Sequence, residues 1–262
     1  MWMVLAWAVI VPLGWALAGA PALPEVSWLP ESATEVLASA GVRVPVSVGW
    51  LAAAGLLGVV VAVGRSRVAA THVSTVAHEF GHALVAALFG GRVTGITMHL
   101  DGSGTAHYTM TGSRPLLRGL VSLAGYPAPG VLAVACARAA DAGAGPVWVT
   151  FLCVVVAVML PLAIRSWWGA VLALGLVAAG VAVLAWAPPA AATVLVASLG
   201  GLLAGGGVLD ARTQWRARRD PVGTDAATLA SQTGLPVGAF AGLHLVVALG
   251  LAVAAAGFLV GW

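Results

Sequence analysis

Apolar runs long enough to cross a bilayer recur along nearly the whole chain, at roughly 1–20, 46–64, 68–90, 119–139, 146–164, 167–187, 190–210 and 238–261. In lipid every backbone N–H and C=O must find its partner inside the chain, so only helices and closed barrels can span. Runs of this length fit helices. Only 8% of the residues are charged, and the mean hydropathy is +1.02. A soluble domain carries about three times that charged fraction. The expected fold is therefore an all-α polytopic membrane protein of about eight transmembrane helices. The breaks between runs are short, as at Gly64-Arg65-Ser66-Arg67 and Pro188-Pro189. Longer polar stretches lie at about 21–45, 91–118 and 211–237. They divide the chain into an N-terminal transmembrane pair with its polar loop (1–67), a membrane core (68–210), a basic segment (211–237) and a C-terminal transmembrane helix (238–262).

Charge sets an expected orientation. All 12 basic residues are Arg, and neither Lys nor Asn occurs. Eight alternating spans put Arg43, Arg92, Arg114, Arg118, Arg165, Arg212, Arg216, Arg218 and Arg219 on one side, against Arg65, Arg67 and Arg138 on the other. The positive-inside rule assigns the larger set, with the whole of 211–237, to the cytoplasm and both termini to the outside. A multi-pass location in the cell membrane, expected to be a bacterial inner membrane, follows. The run 1–20 ends in Ala18-Gly19-Ala20, as a cleaved signal peptide would, but it lacks a positive n-region. The Arg parity favours its retention. Arg212 to Arg219 reads as a topology signal with attraction to anionic lipid, and nothing calls for a nucleic-acid partner. Cys136 and Cys153 both fall in apolar stretches and read as buried thiols.

Within the third run, His78-Glu79-Phe80-Gly81-His82 spells H-E-x-x-H. On a helix the two His lie one turn apart on one face, so both imidazoles can reach a single metal. Glu79 projects beside them, where it can take a proton from an activated water and pass it to a leaving amine. The pattern is far more specific than a lone histidine. Its bland alternative, a helix burying two His and a Glu for packing, is costly in lipid, where ionisable groups are rare and mostly functional. Gly81 is expected to permit close helix approach.

After this helix the pattern changes. Arg92 to Leu100 partly alternates polar with apolar, Asp101-Gly102-Ser103-Gly104 is a turn signal, and Thr105 to Met110 is a second β-prone run. A small membrane-associated β-hairpin is expected at 92–110. Its edge can hold an extended peptide by strand addition, or the hairpin can simply rest on the membrane surface.

In order along the chain, Ala77-His78-Glu79-Phe80-Gly81-His82-Ala83, then Gly90-Gly91-Arg92 and the hairpin, then Leu120-Val121-Ser122-Leu123-Ala124-Gly125-Tyr126-Pro127 resemble the site-2 protease clan, peptidase family M50, and within it the M50B-like branch. The resemblance is good over about 70–130 and weaker to about 235. It implies a zinc-dependent intramembrane endopeptidase that hydrolyses peptide bonds of membrane-associated protein substrates, commonly single-span, in contact with the lipid bilayer. It also implies Zn2+ held by two His and an Asp, with regulated proteolysis as the setting.

The clan's Asp comes from a later helix, in an Asn-x-x-Pro…Leu-Asp-Gly pattern, and this chain has no Asn. Met159-Leu160-Pro161-Leu162 is the nearest match to the first half, and Leu100-Asp101-Gly102 matches the second half only inside the hairpin. Asp210, after Gly205-Gly206-Gly207-Val208-Leu209, is the expected third ligand, joining His78 and His82, with Glu79 catalytic. Asp101, Asp225 and His244 stay open as alternatives. Asp225 otherwise reads as the start of a short capped helix, and His244 as a histidine bonded to a neighbouring helix. His72 reads as interfacial, His99 and His107 as surface residues of the hairpin, and Arg165-Ser166-Trp167-Trp168 as an interface anchor. Two rivals remain at this stage: a non-catalytic relative that binds or regulates membrane proteins, and an ion-conducting protein, for which no internal repeat speaks. Substrate identity and oligomeric state are not readable.

Overall fold

The computed structural model describes residues 44–64, 67–111 and 115–261. The expected span 1–20 and most of the unit 1–67 lie outside them. The described chain is mostly helical with one two-stranded antiparallel sheet. In order it forms α1 (Val48–Val63), α2 (Arg67–Leu88), β1 (Arg92–Met98), β2 (Gly104–Thr109), α3 (Pro115–Ala124), α4 (Pro127–Asp141), α5 (Gly145–Leu162), α6 (Trp167–Trp186), α7 (Pro189–Ala217), α8 (Asp225–Thr233) and α9 (Val237–Leu259).

The described residues do not confirm the expected count of about eight spans. Among the described residues four helices, α5, α6, α7 and α9, are long and apolar enough to cross a membrane, and α3 with α4 makes a fifth if the pair is one span bent by 54°. The expected run 119–139 thus breaks at Gly125-Tyr126. The run 46–64 is a helix of only 16 residues. The run 68–90 is a full-length helix, but Thr71, His72, Ser74, Thr75, His78, Glu79 and His82 make it too polar to qualify. A helix carrying that much polar surface must turn it toward protein rather than lipid.

The long helix α7 is the axis of the fold. It packs against α1, α4, α5 and α9, and buries Ala192, Val196, Ala197, Gly200, Gly201, Leu203, Ala204 and Gly207 along its length. Small residues let helix backbones approach closely where lipid offers no hydrophobic drive between helices. At the α1 crossing a Cβ on Gly201 would run into the Gly55 carbonyl, and one on Gly58 into that of Ser198. Outward faces of the outer helices expose large apolar side chains, among them Trp50, Leu57, Trp186 and Val246. Such surface suits acyl chains, and the protein is a multi-pass membrane protein.

The hairpin forms where the turn chemistry places it. Gly90, at φ 78°, ends α2 in the left-handed region, and Gly91 N–H returns to the Ala86 carbonyl at 2.8 Å. The Asp101 carboxylate accepts from Ser103 N–H at 2.9 Å and from its hydroxyl at 2.7 Å, while Gly102 takes φ 87°. One strand edge is occupied by the α5–α6 connection. Ile96 N–H donates to Ala163 O at 2.7 Å, Arg165 N–H donates to Ile96 O at 2.9 Å, and Met98 N–H donates to Ser166 Oγ at 2.8 Å. Ser166 also caps α6, and the Arg165 guanidinium donates to the carbonyls of Pro161, Leu162 and Ile164 at the end of α5. The hairpin is therefore clamped between this connection and α2.

Candidate metal centre

The site is built on α2. His78 and His82, one turn apart, bring their Nε2 atoms to 3.1 Å of each other. His82 is buried, and its Nδ1 lies 2.6 Å from the Val121 carbonyl. That carbonyl belongs to the last turn of α3, where no intrahelical partner is available. A carbonyl can only accept, so Nδ1 donates to it, and Nε2 is the ring atom left facing the centre. The break after α3 makes room for this. A Cβ at Gly125 would meet Nε2 of both histidines, and one at Gly81 would meet Ala128 Cβ at 2.6 Å and the Ala124 carbonyl at 2.8 Å. The expected close approach at Gly81 is thus that of α2 to the bend between α3 and α4.

The carboxylate that joins the pair is Asp225. Its Oδ2 lies 3.1 Å from Nε2 of His78 and 3.1 Å from Nε2 of His82. His78, His82 and Asp225 form the one group of metal-binding side chains converging in this way among the described residues. Asp225 is the first residue of α8. Thr224 caps that helix, its hydroxyl accepting from Ala227 N–H at 3.2 Å, which leaves the Asp225 carboxylate free to reach across. Burial pushes the Asp225 carboxyl up, but hydrogen bonds and charge from the two histidines outweigh it and hold it well below the usual carboxylate range.

Asp210, the expected third ligand, is not brought to the pair. The helix carrying it does not end there but continues to Ala217, and its Oδ2 accepts from the Ser74 hydroxyl of α2 at 2.6 Å. Asp210 is half-buried on a helix packed against α2, and Ser74 is the donor it meets there. Asp101 is fully exposed, and its two hydrogen bonds from Ser103 hold its carboxyl below the usual value. His244 forms a layer behind the centre. Its ring stacks on Tyr126 at 4.7 Å, Tyr126 meets His78 edge-on at 4.7 Å, and His244 Nδ1 lies 2.8 Å from Gln214 Oε1 of α7. That neighbouring-helix bond is the bland expectation for His244. In the sequence Asp225 was one of the open alternatives for the third ligand and otherwise the start of a short helix. The faint signal was an acid in a polar loop with its own cap, Thr224-Asp225, which frees the carboxylate from local duty.

Glu79 lies on the hairpin side of the pair. It is 7% exposed, and its Oε2 accepts from Ala106 N–H of β2 at 2.6 Å. Thr75 ties the same helix to the hairpin turn through the Gly102 carbonyl at 2.8 Å. The strand edge opposite the α5–α6 clamp thus faces Glu79.

These residues all fall within residues 50–255, which match the family model described as Peptidase M50B-like. The chain belongs to the Peptidase M50B-like family. No curated protein and no solved structure matches it. In this M50B-like chain the matched region runs from α1 into α9 and takes in the α2 pair, the hairpin and Asp225 alike.

Proposed function

We propose that the protein is a zinc-dependent intramembrane endopeptidase, with His78, His82 and Asp225 as zinc ligands and Glu79 as general base and then general acid. One observation carries this reading: three donor atoms, two imidazole nitrogens and one carboxylate oxygen, stand 3.1 Å from one another. Ligand bonds of about 2.0–2.1 Å in a tetrahedron place donor atoms about 3.3 Å apart, so the residues present fit zinc and leave a fourth position open. Two lone pairs and an anionic oxygen at this separation repel unless a cation or proton lies between them. Bound zinc supplies a nucleophile at neutral pH and a Lewis acid for the scissile carbonyl.

The chain's own residues do the rest. Val121 holds His82 in the tautomer that offers Nε2, and Tyr126 buttresses His78 from the side. The Ala106 N–H fixes the Glu79 carboxylate, which receives the proton of the attacking water and returns it to the departing amine. The substrate class, membrane-associated proteins with a single span among them, and a cell-membrane location with 211–237 in the cytoplasm complete the reading. The test is zinc content of the purified protein in detergent. About one zinc per chain is expected, lost on His78→Ala. A folded wild type that takes up no zinc after reconstitution would sink the reading.

Gly125 gives an independent check. The methyl of Gly125→Ala would occupy the space against both Nε2 atoms. Zinc affinity should fall by about tenfold or more, measured by competition with a chromophoric chelator, with helical content unchanged.

A further inference from the structure

Beside the metal centre lies a cavity of about 430 Å³ whose lining includes Tyr108, Arg118, Ser122, Thr228 and Gln232. Each of its walls comes from an element that also touches the centre. Tyr108 stands on β2 two positions beyond Ala106, the residue bonded to Glu79, hence about 7 Å along the strand. Ser122 on α3 follows Val121, the partner of His82. Thr228 on α8 follows Asp225 by one helical turn. A peptide whose backbone reaches Glu79 and the histidines along β2 therefore passes this cavity within a residue or two.

The lining itself carries charge of one sign, with the Asp225 and Glu79 carboxylates outside it but near enough to act on Tyr108. It holds one cation, Arg118, and no carboxylate. Among the described residues Arg118 makes no hydrogen bond or ion pair, and it is exposed to the cavity mouth. Gln232 adds an amide donor and Tyr108 a hydroxyl bonded with Ser122, while the Thr228 hydroxyl donates to the Thr224 carbonyl at 3.4 Å. A planar guanidinium with hydroxyl and amide donors around it matches a carboxylate, which accepts from several donors at once. The volume is that of a small-ligand pocket, ample for one acidic side chain.

We propose that this cavity is a specificity pocket that receives a carboxylate of the bound peptide, through Arg118, next to the scissile bond. The proposal rests on the peptidase reading for its ligand class, but its test does not need turnover. Full-length Glu79→Gln protein, zinc-loaded in detergent, is titrated with fluorescent short peptides. In one series a single Glu is moved through a neutral sequence with an amidated C-terminus. A matched series carries Gln, and a third is neutral with a free C-terminal carboxylate. Anisotropy should show at least one Glu register binding about tenfold tighter than its Gln partner. In the Arg118→Gln form of the same protein this preference should shrink to within about twofold, with zinc content unchanged. Preference confined to the third series assigns the pocket to a peptide C-terminus rather than an acidic side chain. Equal binding of all series, no binding, or a preference that survives Arg118→Gln overturns the proposal. Arg118-dependent preference in a protein whose wild type cleaves nothing would keep the pocket and discard the peptidase reading.

Discussion

Glu79→Gln is expected to lower the rate of peptide-bond cleavage by about 10²–10⁴-fold, the usual contribution of a positioned acid–base group. The substitution isolates proton transfer. A Gln carbonyl can still accept from Ala106 N–H, which now donates to Oε2 at 2.6 Å, so the side chain keeps its place. It cannot accept and return a proton at neutral pH. Zinc content should stay at the wild-type level, because the three proposed ligands are untouched. The measurement is cleavage of a single-span membrane substrate in proteoliposomes, beside metal analysis of the same preparation. Full activity in the variant would remove Glu79 from the mechanism.

The second large effect separates two carboxylates. Asp225→Ala takes one corner from the 3.1 Å triangle and leaves two imidazoles alone. Even outer partners of metal ligands cost 10–100-fold in affinity when removed, so loss of a direct ligand should exceed about 100-fold and abolish cleavage. Asp210→Ala should instead leave zinc in place. Its cost is structural, about 1–3 kcal/mol, because the buried Ser74 hydroxyl loses its partner. Zinc titration of both variants, with thermal unfolding of each, decides the matter. Zinc lost from Asp210→Ala and kept in Asp225→Ala would reverse the ligand assignment.

Local pattern explains which parts of this protein could be read early. Membrane character follows from apolar runs, because the bilayer acts on composition directly. The His78–His82 pair follows from helical periodicity over four residues, and the hairpin from Asp101-Gly102 turn chemistry; both are set within a few positions of chain. The number of spans was harder. The bend at Gly125-Tyr126 depends on what the helices meet, whereas the polar load of α2 is already written in its residues.

By itself, then, the sequence determined a helical membrane protein with a paired-histidine helix, a glutamate beside it and a hairpin after it. The tertiary structure alone decided which carboxylate joins the histidine pair, since Asp225 stands 143 positions from His82 and meets it where α8 packs against α3 and α9. It also decided which strand edge faces Glu79, since the α5–α6 connection takes the other edge through Ile96. Contacts of that separation are fixed by packing of whole elements, and no spacing in the chain encodes them.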